Sequence, residues 1–182
     1  MDYQTMVDDI FKLFDVPRLD YLCVAKLDVR PSEELPQFDR QLVSRIEVLE
    51  FKECSPPMGP LVKVMLGGHH RLRKFTWEID SRRITSQLSP AAITDALEPL
   101  KSTVEELHLS ISPGSWTYAG NDGTQMDFAS FSRLKVLKIH DSLLFAFDPI
   151  LQLSGWTGSG HCFDVNLYQR LPPFLESLYV RQ

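Results

Sequence analysis

Histidine is the side chain best suited to acid–base chemistry near neutral pH, and the chain has five of them. His108 and His140 lie in two segments that share one alternating pattern, at its fifth and seventh positions. A metal ion there would need a third ligand, and Asp141, the neighbouring candidate, is expected to point elsewhere. His69 and His70 follow two glycines, which favours an exposed loop pair. We therefore predict no metal site, and exposed histidines at these positions.

The segment SGWTGSGHCF, residues 154–163, brings Ser159, His161 and Cys162 close together in sequence. A nucleophile, its base and an orienting group meet through the fold rather than through adjacency, so this grouping does not indicate catalysis. Its glycines do not follow a strand, and no Lys-Ser/Thr pair comes after them, as a phosphate-binding loop requires. We predict no cofactor and no enzymatic activity. A hydrolase that uses His108, His140 or the 159–162 loop is the remote alternative.

Two long insertions are turn-rich, 154–163 and SWTYAGNDGTQ at 115–125. Such loops either contact a partner or are merely tolerated, and both interpretations stay open. Trp116 and Tyr118 are the contact candidates of the second insertion.

Composition excludes several classes of partner. The net charge of −5 argues against nucleic-acid binding, which normally shows a basic face. No apolar run reaches 18 residues, so no membrane partner is expected. The acidic N-terminal residues do not resemble a signal peptide, and three cysteines without a Cys-x-x-Cys pair fit reduced thiols. We expect a cytoplasmic or nuclear protein.

A short pattern recurs along the chain: an apolar residue, two variable residues, Leu or Phe, one variable residue and another apolar residue. Its six copies begin at Leu19, Ile46, Leu72, Val104, Leu134 and Leu175. The intervals are 27, 26, 32, 30 and 41 residues, and the first two fall within the period of leucine-rich repeats, roughly 20–29 residues. One copy means little, but six at a loosely regular spacing favour a repeat architecture.

The physics of such a unit predicts how the copies assemble. Each strand with its return segment cannot bury its own apolar face, so neighbouring copies must stack. The fourth-position residues would then form a continuous core: Leu22, Leu49, Phe75, Leu107, Leu137 and Leu178. We predict an α/β fold, a leucine-rich repeat solenoid arc with about six parallel strands on the concave face and helices and loops on the convex face. Residues 1–182 would form one domain.

Several elements outside the strands are also predicted. Residues 1–18 are expected to form an N-terminal capping helix with Met6, Ile10, Leu13 and Phe14 along one stripe. Ser89 and Pro90 favour the start of a helix that buries one apolar face, and a shorter helix over 60–66 should end at two glycines. A single turn is expected over 127–131. The ninth position, a buried turn in leucine-rich repeats, holds Leu27, Cys54, Asp80, Ser112 and Ser142. Leu27 departs from the pattern, and Cys54 is expected to be structural rather than nucleophilic.

Side chains at the third, fifth and seventh positions of each copy should point to the concave face, because strand residues alternate between faces. We call these positions the polar row. The row carries both positive and negative charges, so its charge does not indicate a class of partner. It is either a binding groove or an ordinary solvated face. Its charged, histidine and tyrosine members are the candidate contacts for a protein partner: Tyr21, Glu50, Lys52, Lys74, Glu78, Glu106, His108, Lys138, His140, Tyr179 and Arg181.

Three segments carry a resemblance to a family: ALEPLKSTVEELHLSI (96–111), FASFSRLKVLKIHDSLLF (128–145) and LPPFLESLYV (171–180). With their Pro-Leu-Lys and Leu-Pro-Pro steps before the strands, they resemble the leucine-rich repeat region of fungal F-box-like proteins. The likeness covers about the C-terminal half. It implies a repeat arc that presents protein targets to a ubiquitin-ligase scaffold.

The resemblance does not extend to the F-box itself, a helical module that normally precedes the repeats. Residues 1–18 hold at most one helix, so we expect no F-box module in the chain. Binding of a ubiquitin-ligase adaptor is expected only if such a module exists upstream. The sequence thus predicts a protein-interaction module, most simply the substrate-recognition arc of an F-box-like system. A stand-alone or truncated repeat scaffold without a ligase link is the alternative.

Overall fold

Six segments with alternating apolar side chains form the strands of a single sheet. The computed structural model describes residues 12–14, 16–27, 45–54, 63, 66–67, 69–83, 89–112, 124–145 and 166–181. Every strand begins at the third position of one predicted copy. The strands are β1 (Tyr21–Ala25), β2 (Val48–Cys54), β3 (Lys74–Ile79), β4 (Glu106–Ile111), β5 (Val136–His140) and β6 (Ser177–Arg181).

All five strand pairings are parallel, and the strand order in the sheet is the order in the chain. Fourth-position residues lie opposite one another in every pair, from Leu22 opposite Leu49 to Leu137 opposite Leu178. The α/β class and the six parallel strands are therefore confirmed.

A repeated hydrogen-bond pattern fixes the start of each strand. The carbonyl of Asp20 accepts from the backbone N–H groups of Glu47 and Val48, at 2.9 and 3.1 Å. Equivalent double acceptance occurs at Glu47, Arg73, Glu105 and Lys135, each toward the next copy. Because the second-position residue satisfies two donors of the following strand, the copies begin in step along one edge of the sheet.

The core lies on one face of the sheet, beneath the fourth and sixth positions. Phe51, Phe75 and Trp77 are buried and meet edge to face, with ring centroids 5.2–5.7 Å apart. The expectation that Leu178 belongs to this core is wrong, because Leu178 is 36% exposed and Val180 is 42% exposed. β6 is the last strand of the sheet, so these two side chains have a neighbouring strand on one side only.

The end of β2 contains an extra residue. Glu53 in β2 adopts a positive φ of 50°, and the register of β2 with β3 shifts so that Cys54 lies opposite Ile79. Lys26, just after β1, also has a positive φ of 60°. Leu27, which follows the positive φ of Lys26, is buried at a position where other copies have small or polar residues.

The remaining ninth-position residues act as the sequence suggests, by satisfying backbone groups. Asp80 is buried and accepts from the backbone N–H of Arg82 at 3.0 Å, and Ser112 Oγ accepts from the N–H of Ser81 at 3.1 Å. Cys54 is buried, with Sγ 3.3 Å from the carbonyl of Lys52. Its predicted structural role fits this position.

Two short α-helices lie in the connections between strands, one between β3 and β4 and one after β5. α1 (Pro90–Ala96) begins at Ser89, whose side chain accepts from the N–H of Ala92 at 3.2 Å, and its apolar face buries Ile93. α2 (Asp141–Leu144) follows β5 directly. Short 3-10 turns occupy Ser81–Arg83, Glu98–Leu100 and Leu167–Arg170, and a backbone hydrogen bond from Phe131 to Phe128 closes the turn expected over 127–131.

Residues 12–14 and 16–18 of the predicted capping helix are described: 12–14 are helical, whereas 17 and 18 form a turn, so the expected helix does not reach residue 18. Phe14 is buried and meets the ring of His69 edge to face at 4.6 Å, whereas Leu13 is 42% exposed and leaves the expected apolar stripe. His69 is only 2% exposed, so the prediction of an exposed loop pair is wrong for His69 and correct for His70. The aromatic contact with Phe14 accounts for this burial.

Parts of two predicted helices lie outside the described residues. Met6 and Ile10 of the capping helix are not described, and of the helix expected over 60–66 only positions 63 and 66 are described, both helical. Gly67 is itself helical, so that helix passes the first of the two glycines expected to end it. Within the described ranges, none of the helices is long and apolar enough to cross a membrane.

Candidate binding groove

The polar row of β2 to β5 lines a groove of about 270 Å³. Seven of the predicted contact residues form its walls: Glu50, Lys52, Lys74, Glu78, Glu106, His108 and Lys138. Strand alternation places all seven on one face, and the in-step parallel register brings them together from four separate copies. The sequence-predicted residues are therefore neighbours in space.

Uncharged side chains complete the groove, and the choice of charged, histidine and tyrosine residues left them out. Thr76, Ser110 and Val136 occupy polar-row positions, and Thr76 is buried at 9% exposure. Phe75 of β3 and Leu107 of β4 also contribute to the lining. Their positions in the repeat were the signal that could have identified the first three.

One end of the groove is organised around Glu50. Its carboxylate accepts from Tyr21 Oη and is paired with Lys52 Nζ, both at 3.0 Å from the same oxygen. The hydrogen bond from Lys52 lowers the pKa of Glu50, and the one from Tyr21 acts in the same direction. The bond to Glu50 in turn raises the pKa of Lys52 and that of Tyr21. This end presents a carboxylate whose charge is largely satisfied.

Pairs of side chains on neighbouring strands occupy the middle of the groove and the end opposite Glu50. Lys74 and Glu106 lie opposite each other in β3 and β4, with Nζ 3.5 Å from the carboxylate. Lys138 and Tyr179 are opposite each other in β5 and β6, and the ammonium lies 5.4 Å from the ring centroid of Tyr179. Tyr179 is 53% exposed, so it extends the row beyond the groove.

His108 occupies the groove between these pairs. It lies opposite Thr76 on one side and Lys138 on the other, and it is half-buried rather than exposed as expected. Its Nε2 atom is buried and has no hydrogen-bond partner among the described residues. Burial lowers the pKa of His108, and the positive charges of Arg181, Lys138 and Lys74 lower it further. The ring is therefore a neutral hydrogen-bonding group at pH 7.

His140 has a different role from the one predicted. Its ring is half-buried, and Nδ1 accepts from the N–H of Ser142 at 3.3 Å, which caps the first turn of α2. Asp141 Oδ1 lies 3.0 Å from the same Nδ1 atom, so the expectation that Asp141 points elsewhere is wrong.

Ser142, His140 and Asp141 are the residue types of a hydrolytic triad, but their geometry is that of a helix cap. Ser142 Oγ is 2.8 Å from Nδ1, the atom that also contacts the carboxylate. A triad needs the serine and the carboxylate on opposite ring nitrogens, and it needs an accessible hydroxyl. Ser142 is 1% exposed, so this cluster does not present a nucleophile.

Most of the two turn-rich insertions cannot be placed relative to the groove. The segments 115–125, except its last two residues, and 154–163 lie outside the described residues, as does Cys162. In the ranges that are described, no three His, Cys, Asp or Glu side chains are grouped as a metal site would require. Arg181 lies at the end of the row and is exposed.

Comparison with known proteins adds no assignment: no family model, no curated protein and no solved structure matches the chain.

Proposed function

We propose that this chain is a non-enzymatic protein-binding module whose polar row, centred on the groove, is the contact surface. The observation that carries the proposal is the convergence of seven side chains from four copies on one groove, around a buried His108 Nε2 that has no hydrogen-bond partner among the described residues. Buried polar atoms in folded proteins are nearly always hydrogen-bonded, so this nitrogen is a natural contact for a polar group of the partner.

The architecture we propose for the whole chain is a leucine-rich repeat solenoid arc, with the polar row on its concave face. Six parallel strands in chain order and a core of stacked fourth-position residues support it. In such arcs the strand face is a common binding surface, because it offers side chains from several repeats at once.

The composition of the groove favours a partner with mixed polar character. Glu50 and Glu106 are each paired with a lysine, so a partner of one charge sign would gain little from either group. Glu78 and Arg181 have no ion pair in the part of the chain that the structure describes, and they are the charges open to a partner's own ions.

By the resemblance of its C-terminal half to F-box-like repeat regions, we propose that the partner is a substrate protein of a ubiquitin ligase. The chain would then act in the cytoplasm or nucleus. The alternative is a stand-alone scaffold, in which the chain would bind its partner through the same polar row without any ligase adaptor.

Affinity capture with groove variants tests the binding surface. Glu106→Lys reverses a charge in the groove and removes the pairing with Lys74, whereas Glu98→Lys makes the same change in a 3-10 turn on another surface. Partners captured by the wild-type chain are identified, purified and titrated against both variants. We expect Glu106→Lys to weaken the binding and Glu98→Lys to leave it near wild type. Equal affinities for all three chains would reject the groove as the contact surface.

The ligase link has a separate test. The product of any longer form of the gene is purified and incubated with the ubiquitin-ligase adaptor. Association supports the substrate-receptor role, whereas its absence in a chain that still binds its protein partner leaves the stand-alone scaffold.

A further inference from the structure

A second depression lies at the edge of the sheet where the strands begin, away from the polar row. Its volume is about 420 Å³, larger than the groove. The lining residues come from three successive copies: Glu47, His70, Arg71, Arg73, Thr103 and Arg133. Three arginines against one carboxylate make it locally basic, although the chain as a whole is acidic.

The arginines of this edge pocket differ in how far they are already neutralised. Arg133 donates to Glu105 at 2.9 Å, and Lys135 lies 3.6 Å from the same carboxylate, so that charge is shared. Arg71 and Arg73 are exposed, and neither forms an ion pair with any residue that the structure describes, Glu47 included. Among the residues that the structure describes, two guanidinium groups at one site are thus left without a counter-ion.

Backbone hydrogen bonds fix the main chain that carries both arginines. The N–H of Arg73 donates to Glu47 at 2.9 Å, and its carbonyl accepts from the N–H groups of Glu105 and Glu106. Arg71 lies in the turn closed by the bond from Leu72 N–H to the His69 carbonyl at 3.2 Å. The two side chains therefore start from fixed points on the same edge of the sheet.

We propose that this edge pocket binds a phosphomonoester group. Arginine matches the oxygens of phosphate with paired N–H donors, and two unpaired arginines balance a dianion. A carboxylate, with a single charge, would leave one guanidinium uncompensated. Thr103 and His70 add a hydroxyl and a ring nitrogen at the rim. The phosphate can belong to a free small compound or to a phosphorylated side chain, and the pocket chemistry is the same for both.

Calorimetric titration with inorganic phosphate at constant ionic strength tests the site, with acetate as the carboxylate comparison. Arg73→Gln removes one unpaired guanidinium, and Arg45→Gln removes an exposed arginine that does not line the pocket. We expect Arg73→Gln to weaken phosphate binding by about tenfold or more, because charged hydrogen bonds contribute about 1.5–3 kcal/mol. Arg45→Gln should bind as the wild type does, and acetate should bind more weakly than phosphate.

Arg71→Gln provides a second variant, and thermal melting followed by circular dichroism checks that all variants fold. A phosphoserine peptide that binds more tightly than free O-phosphoserine identifies a protein source, and the reverse order identifies a small compound. The proposal is overturned if phosphate does not bind, if acetate binds equally well, or if Arg73→Gln and Arg45→Gln have the same affinity.

Discussion

His108 couples the stability of the fold to pH. In the folded chain its pKa lies below the ordinary value of 6.5, because burial and nearby cations disfavour the charged ring. The unfolded chain therefore binds a proton more readily, and stability is lost as pH falls from about 6.5 toward the folded pKa.

We expect the free energy of unfolding of His108→Gln to fall less on acidification from about pH 7 to pH 5 than that of the wild type. Urea denaturation at both pH values measures it. His70→Gln, which replaces an exposed histidine, should keep the wild-type dependence. Parallel acid losses in wild type and His108→Gln would show that this ring does not titrate with folding.

Leu107 and Leu178 occupy the same repeat position and allow a matched comparison. Leu107 is 1% exposed, so Leu107→Ala should lower the free energy of unfolding by about 2–5 kcal/mol and loosen both neighbouring copies. Leu178 is 36% exposed, so Leu178→Ala should cost about 1 kcal/mol or less. Chemical denaturation measures both, and equal costs would contradict the assignment of the core.

The bulge in β2 makes a prediction at the scale of an element. A left-handed conformation costs an L-residue roughly 1–2 kcal/mol, whereas glycine adopts it freely at an entropic cost of roughly 0.5–1 kcal/mol. Glu53→Gly should therefore leave the melting temperature unchanged or raise it. Glu78→Gly, in β3 where φ is not positive, should lower it. A loss of stability at Glu53 as large as that at Glu78 would rule out the strained bulge.

β6 gives the whole molecule an exposed apolar edge. Val180 is 42% exposed on a strand with one neighbour, and unpaired strand edges invite association. We expect Val180→Lys to reduce concentration-dependent association in sedimentation experiments. Val16→Lys changes a residue of the same type and similar exposure, 44%, away from the strands. If both variants associate alike, the edge is not the contact.

The strands, their start points and the shared face of the groove followed from the spacing of apolar residues alone, because a repeat constrains each copy by its neighbours. The exposure of Leu178 was missed, because the spacing does not show that β6 has one neighbouring strand only in the described sheet. The burial of His69 depends on Phe14, more than fifty residues away, which no local pattern shows. The cap formed by His140 was missed because histidine is not among the usual capping residues.

The edge pocket shows what an alignment of the copies can reveal. All six second positions are charged: Asp20, Glu47, Arg73, Glu105, Lys135 and Glu176. In the structure this row lies along the strand starts, where the backbone bonds between copies form. The row was visible in the sequence, but only the structure shows that Arg73 forms no ion pair with any described residue.

Strand order that follows chain order has a consequence for how the protein is made. Each strand pairs with the one synthesised just before it, and no strand must be inserted later between two earlier ones. The nascent chain can therefore add strands to the sheet in the order in which they leave the ribosome, each one docking on an edge that already exists. During synthesis the free edge of the described sheet therefore moves along the chain with the growing end.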